Sequence, residues 1–221
     1  MITLRGVQNQ KERDVWVANA LASCDLQGKK LIDVGAGQQP YRNLVEAGGG
    51  LYFSHDFNSY FPSASEGGLH GEWPHLEHNY VCDILKIPEE SAFDFILCTE
   101  VLEHVPDPVA ALDKLSRLLV PGGEIIITVP RMSLIHQAPF HFATGLSEFF
   151  FKHWTVQLGL EVLEICLHGD YADLQSQEFR RILRLPGIFQ VPISRLIRTL
   201  LTTSTLTSGG FSIFLRLKKR V

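Results

Sequence analysis

The chain has 221 residues, with 20 Lys and Arg against 24 Asp and Glu and a formal charge of −4. That length predicts one domain over residues 1–221, and 45% hydrophobic against 20% charged residues excludes a disordered chain. The slightly acidic balance argues against a nucleic-acid partner, which would call for clustered Lys and Arg.

Met1 to Asp14 lacks the apolar run of a secretory leader. The most apolar late segment, Val191 to Leu206, is interrupted by Arg195 and Arg198, so no membrane span is expected. Cys24, Cys82, Cys98 and Cys166 form no CxxC pair and read as free thiols, which fits a reducing cytoplasm.

In chain order, Gln10 to Ala22 predicts a helix with Val17 and Leu21 on one face. Lys30–Val34 is a short buried strand ending at Gly35-Ala36-Gly37, and Leu51–His55 is a second strand ending at Asp56. Phe57 to His78 carries Pro62, Gly67, Gly68, Gly71 and Pro74 and is expected to be loop. Asn79–Cys82 closes on Asp83 as a third strand, and Phe93–Cys98 is a fourth, apolar enough for burial on both faces. Asp107-Pro108 opens a helix as cap and first helical residue, and Pro121-Gly122-Gly123 is expected to end it. Glu124–Val129 is a fifth strand, Thr144 is expected to cap a helix through Leu158, and Leu160–Leu167 and Phe211–Leu217 are the last two strands. Strands alternating with helices predict a doubly wound α/β sheet. Between the last two strands, residues 170–208 form an expected helical insertion. Its pieces are Gln177–Leu185 and Pro192–Leu201, the second with Ile193, Leu196, Ile197, Leu200 and Leu201 at helical spacing.

The chemistry gathers at strand ends. Glycines directly after a strand let a ligand lie close over its end, and the helix that follows offers free N–H groups to a carboxylate or phosphate. A dinucleotide GxGxxG would need glycine where Pro40 stands, which disfavours a nicotinamide oxidoreductase and favours a ligand with a small carboxylate. Asp56 lies 21 residues beyond Gly35, a spacing at which a carboxylate accepts both hydroxyls of a ribose. Asp83 is placed to accept from an adenine amine. Asp33, Asp56 and Asp83 thus end three successive strands, and ligands of open α/β sheets bind at the carboxyl ends of strands.

With DVGAGQQPYR, HDF, VCDI, FDFILCTEVLEHVPDP and LVPGGEIIITVP, the chain resembles class I S-adenosylmethionine-dependent methyltransferases. The likeness is to the small-molecule branch that includes quinone-biosynthesis and surface-glycan enzymes. It covers about Leu31 to Leu167 together with the last strand. It implies a seven-stranded Rossmann-like sheet whose last strand is antiparallel, and S-adenosylmethionine as cofactor. By matching motifs, Asp33, Gly35, Ala36 and Gly37 would hold the methionine end, Asp56 and Phe57 the ribose side, and Asp83 and Ile84 the adenine. Thr99 and Glu100 would stand beside the sulfonium. Gln39 replaces the third motif glycine.

Methyl transfer from an activated sulfur needs mainly positioning, and a base only where the acceptor must lose a proton. His104, His136 and His141 are the candidate bases. Glu100-x-x-Glu103-His104 with His141 is also similar to the metal-binding set of the small-RNA 2′-O-methyltransferases. The same run occurs in methyltransferases that use no metal, so no metal and activity that survives chelation are expected. His70, His75 and His78 read as loop residues. The expected acceptor is small or lipid-like. A catalytically silent cofactor-binding protein is the alternative from another class. Residues 177–203, with Arg180, Arg181, Arg184, Arg195 and Arg198 against Asp170, Asp173 and Glu178, would present apolar surface to a lipophilic substrate, a membrane or a second copy.

Overall fold

The computed structural model describes residues 8–59, 76–88, 91–183, 189–201 and 211–221. His70, His75 and Arg184, most of the loop expected over Phe57–His78, and the side chains of Arg180 and Arg181 lie outside the described residues.

Seven strands form one sheet in the order β3-β2-β1-β4-β5-β7-β6. They are β1 (Lys30–Val34), β2 (Leu51–Asp56), β3 (Tyr80–Val81), β4 (Phe93–Thr99), β5 (Leu119–Pro130), β6 (Leu160–His168) and β7 (Ser212–Lys219). β7 runs antiparallel to both β5 and β6, and the remaining pairs are parallel. Hence the carboxyl ends of β1 to β6 all lie on one edge of the sheet.

Among the described residues six α-helices accompany the strands: α1 (Gln8–Ala22), α2 (Arg42–Ala47), α3 (Pro108–Leu118), α4 (Glu148–Gln157), α5 (Tyr171–Ile182) and α6 (Gln190–Leu200). Side chains of a strand alternate between faces, and the core divides accordingly. Ile32, Val34, Ile96, Cys98, Ile125 and Ile127 pack on one face with Leu112 and Leu115 of α3 and Phe151 of α4. Leu31, Leu97 and Ile126 point the other way, against Val17 and Leu21 of α1 and Val45 of α2. This two-sided burial is why β4 reads as a continuous apolar run.

Three local expectations are corrected. Pro121-Gly122-Gly123 does not end α3, which stops at Leu118 where Leu119 turns extended. The three residues sit within β5 as a bulge, since Phe93 pairs with Leu119 but Phe95 pairs with Glu124. Thr144 does not cap α4; Ser147 does, accepting from the Phe150 N–H at 3.3 Å. The first insertion helix starts at Tyr171 instead of Gln177, because Asp170 and Asp173 accept each other's backbone N–H at 3.0 and 3.2 Å and close its first turn.

An ion-pair cluster orients the faces of the insertion. Arg198 points toward α5, with its guanidinium 2.7 Å from Asp170 and 2.8 Å from Asp173. Leu196 and Leu200 of the same helix are 62% and 75% exposed.

Candidate functional site at the carboxyl edge of the sheet

The turn after β1 is built for close approach. Gly35 has φ +70°, a left-handed conformation that favours glycine. A Cβ built there would stand 2.3 Å from Val101 Cγ2. Gly37 follows at φ +48° and Gln39 at +55°, so Gln39 holds a left-handed conformation that favours glycine. Its side chain then works locally, donating to the Glu77 carbonyl at 2.8 Å and accepting from Arg42 Nε at 2.8 Å. The Ala36 N–H donates to the His55 carbonyl at 2.9 Å and fixes the turn to the end of β2.

Asp56 closes β2 and grips this turn. One carboxylate oxygen accepts from the Gly37 N–H at 3.0 Å and the other from the Asn58 N–H at 2.8 Å. A carboxylate has about four acceptor positions, so both oxygens keep capacity for ligand hydroxyls. Asp33 is 1% exposed. Tyr52 donates to its Oδ2 at 2.7 Å, while Oδ1 has no hydrogen-bond partner among the described residues. Burial, with the neighbouring Asp56 charge adding to it, pushes the Asp33 carboxyl up to about 7. A buried carboxylate oxygen lacking a donor suits a cationic ligand group, such as the ammonium of an amino acid.

Asp83 both caps and remains available. Its Oδ1 accepts from the Leu85 N–H at 2.8 Å at the start of the short 3-10 helix Ile84–Lys86, and the side chain is exposed while Ile84 is buried. The residues after β4 close the site. Glu100 has φ +56°, and its N–H donates to the Thr128 carbonyl at 2.9 Å. Thr99, the last residue of β4, pairs with Thr128. Burial raises the Glu100 carboxyl, and Arg13 of α1 opposes that rise. Arg13 in turn donates to Asp14 at 3.1 Å, and Tyr41 donates to the same oxygen at 2.8 Å.

The acceptor-side candidates converge. His104, at the end of the 3-10 turn Leu102–His104, and His136 and His141, on the segment between β5 and α4, form one cluster. One ring nitrogen of each lies within 4.8 Å of the others. His104 Nδ1 is 2.5 Å from the Phe140 carbonyl and His136 Nδ1 is 3.0 Å from the Leu134 carbonyl. A carbonyl only accepts, so both rings carry their proton on Nδ1. Burial, with the two neighbouring imidazoles adding to it, lowers His104 to about 4 and keeps it neutral at pH 7. Glu103, 0% exposed, stands beside it with Oε1 3.5 Å from His104 Nε2. Neither Glu103 oxygen has a hydrogen-bond partner among the described residues, and burial, then the charge of Glu100, raises its carboxyl well above the usual range. Phe57 packs edge-to-face on Phe140 at 4.9 Å, so the loop after Asp56 meets the loop that carries the histidines. His78 is not part of this cluster; it lies 3.4 Å from the Gln39 side chain.

Sequence reasoning missed Arg13, Asp14, Tyr41, Tyr52 and Val101. Tyr41 and Val101 lie within the motifs DVGAGQQPYR and FDFILCTEVLEHVPDP, but the contacts that bring these residues to the site, such as Tyr41 to Asp14 and Tyr52 to Asp33, join positions distant in sequence.

Comparisons with known proteins find methyltransferases by both sequence and fold. The family described as "Methyltransferase domain" matches residues 10–165. A ubiquinone biosynthesis O-methyltransferase of Coxiella burnetii is 31% identical over 105 residues, covering 47% of this chain and 44% of that protein. The chain therefore spans less than half the length of that curated relative. Among solved structures, a SAM-dependent methyltransferase from Archaeoglobus fulgidus superposes with a TM-score of 0.58 at 19% identity, covering 94% of each chain. Phosphoethanolamine N-methyltransferase 2 of Haemonchus contortus, solved with S-adenosyl-L-methionine, gives a TM-score of 0.58 at 13% identity over 95% of this chain and 53% of that one.

Proposed function

The chain belongs to the methyltransferase-domain family, and from that premise we propose that it transfers a methyl group from S-adenosylmethionine to an oxygen or nitrogen of a small or lipophilic acceptor. The observation that carries this reading is the placement of Asp33, Asp56 and Asp83 along one sheet edge around the Gly35–Gly37 turn. The cofactor fits two features of that edge: a turn with no room for a Cβ at Gly35, and a buried Asp33 oxygen that lacks a donor.

Asp33 and the turn would hold the methionine end, Asp56 the ribose, Asp83 with Ile84 the adenine, and Thr99 and Glu100 the region of the sulfur. When bound, S-adenosylmethionine supplies a methyl group already activated on a cationic sulfur. The protein's task is then to orient the acceptor, exclude water and remove a proton where the acceptor is a hydroxyl. The Nδ1–H···O=C contacts of His104 and His136 leave their Nε2 atoms as proton acceptors. His141 lies beside them. The name of the curated relative favours an oxygen acceptor on a quinone precursor.

The reading extends to access and place. On this reading the chain is one domain whose α5 and α6 cap the acceptor side; in its support, they follow β6, which ends at the edge that carries the site. Phe179, Ile182, Leu196 and Leu200 are exposed on them, as are Ile135 and Phe142 on the segment after β5. This apolar surface supports a lipophilic acceptor, with a membrane or a second copy as a further partner of 177–203. No helix among the described residues is long and apolar enough to cross a membrane. The four free cysteines support a cytoplasmic location.

Calorimetric titration with S-adenosylhomocysteine and with NADH tests the cofactor. Turnover of labelled S-adenosylmethionine on phenols, sugars and quinone precursors tests the acceptor. Binding of NADH alone, or cofactor binding without turnover on any of the panel, would overturn the reading in its first or second half.

A further inference from the structure

We propose that His104, His136 and His141 form a binding site for one divalent cation of the borderline class typified by Zn²⁺. Three independent features converge on it. The first is distance: the three candidate nitrogens lie within 4.8 Å of one another, so a modest inward rotation of half-buried rings brings each to the roughly 2.0–2.1 Å of a Zn–N bond. The second is orientation. His104 and His136 each present Nδ1 to a backbone carbonyl, of Phe140 and Leu134. This outer contact fixes the tautomer of a metal-binding imidazole and leaves Nε2 as the ligand atom. The third is an unpaired buried side chain. Glu103 is fully buried beside His104 with no hydrogen-bond partner for either oxygen among the described residues, and a nearby cation would give those oxygens the polar partner they lack.

The donor set selects the metal. Imidazoles suit Zn²⁺ and its transition-metal neighbours, whereas Mg²⁺ and Mn²⁺ prefer carboxylate, carbonyl and water oxygens. The site differs in this respect from the carboxylate-led set Glu100, Glu103, His104 and His141 considered from the sequence. It includes His136, leaves out Glu100, and places the metal on nitrogen. It also departs from the expectation of a metal-free chain, which weighed the carboxylates and not the convergence of the imidazoles. An imidazole that holds a cation cannot take a proton at the same moment. On the methyl-transfer reading above, on which this step rests, occupancy would replace a histidine base with a Lewis acid that lowers the pKa of an acceptor hydroxyl.

The test uses the full chain, stripped of metal and dialysed against Zn²⁺ alone, without cofactor or acceptor. Elemental analysis should find one Zn²⁺ per chain. Competition with a chromophoric chelator should show affinity falling at least about 10-fold in His136→Gln and in His141→Gln. Co²⁺ in its place should give the strong visible absorption of a tetrahedral nitrogen site, lost in the same variants. His153→Gln, outside the cluster, should bind as the parent does. Circular dichroism melts and S-adenosylhomocysteine titration on each preparation report folding and the cofactor site separately, so failure of the methyl-transfer reading does not imitate failure of this one. No stoichiometric Zn²⁺ in the parent chain, Zn²⁺ retained when His136→Gln and His141→Gln are combined, or a preference for Mg²⁺ abolished by Glu100→Gln would overturn the proposal.

Discussion

Asp56→Ala tests the centre of the cofactor reading. In the parent chain its two oxygens accept the Gly37 and Asn58 N–H groups at 3.0 and 2.8 Å, and the residue is 9% exposed. A carboxylate that also receives ribose hydroxyls makes charge-assisted bonds, each worth about 1.5–3 kcal/mol. Removing it should cost about 2–4 kcal/mol of S-adenosylhomocysteine affinity, or about 30- to 1000-fold in Kd. The free protein should also lose about 1–2 kcal/mol, because the turn and the Asn58 segment each lose an anchor. Calorimetry gives the first quantity and urea unfolding the second. Asp56→Asn separates the two: the amide oxygen accepts one backbone N–H, so stability should recover more than affinity does. A Kd within threefold of the parent in the Ala variant would refute the assignment of ribose to this carboxylate.

Gly35→Ala should lower stability by about 1–3 kcal/mol and abolish cofactor binding, since the new Cβ meets Val101 Cγ2 and φ is +70°; adding Val101→Ala should restore part of the stability, and no restoration would refute the steric argument. Because the Asp33 carboxyl is raised in the folded state to about 7, its protonated form favours folding below about pH 4, and that contribution is lost as pH rises from about 4 to about 7, by at most about 4 kcal/mol. Asp33→Asn should remove that slope from urea-unfolding curves taken between those pH values, and an unchanged slope would refute it. Replacing Gln177 to Thr203 by a short Gly/Ser bridge should leave S-adenosylhomocysteine binding intact while acceptor turnover, liposome binding or self-association is lost. A bridged chain that does not fold would place the segment in the core instead.

What the sequence disclosed and what it hid follow from the range of the interactions. Asp33, Asp56 and Asp83 stand out because each ends an apolar run, and strand ends are read from local pattern. Asp107-Pro108 is legible for the same reason: the cap accepts from Val109 and Ala110, two and three residues on. Tyr52 donating to Asp33, and Arg13 approaching Glu100, depend on strand pairing and on where α1 packs, which no local pattern specifies. Pro121-Gly122-Gly123 misleads because such residues end helices and also form bulges, and only the partner strand decides between the two. In α6 the apolar stripe is legible from its spacing, but the contact that orients it is not. The pair Asp170 and Asp173 attracts Arg198 inward and turns Leu196 and Leu200 out.

The boundary of the family match gives these observations a physical division. Residues 10–165 contain the glycine turn, the three strand-end acids and the histidine cluster, so the parts that would hold the cofactor and remove the proton lie within the shared region. α5 and α6 lie beyond it, joined to each other by the Arg198 ion pairs and the Ser194 to Asp173 contact. Such a hairpin changes sequence at little cost to the sheet, because the seven strands are paired without it. Substitutions that exchange Ile182 or Leu196 for a charged residue should therefore alter which acceptors are turned over while leaving S-adenosylhomocysteine affinity within about twofold. Competition between an apolar and a polar acceptor in one reaction measures that difference directly. Equal loss on both acceptors would mean that the hairpin supports the site as a whole and does not select what enters it.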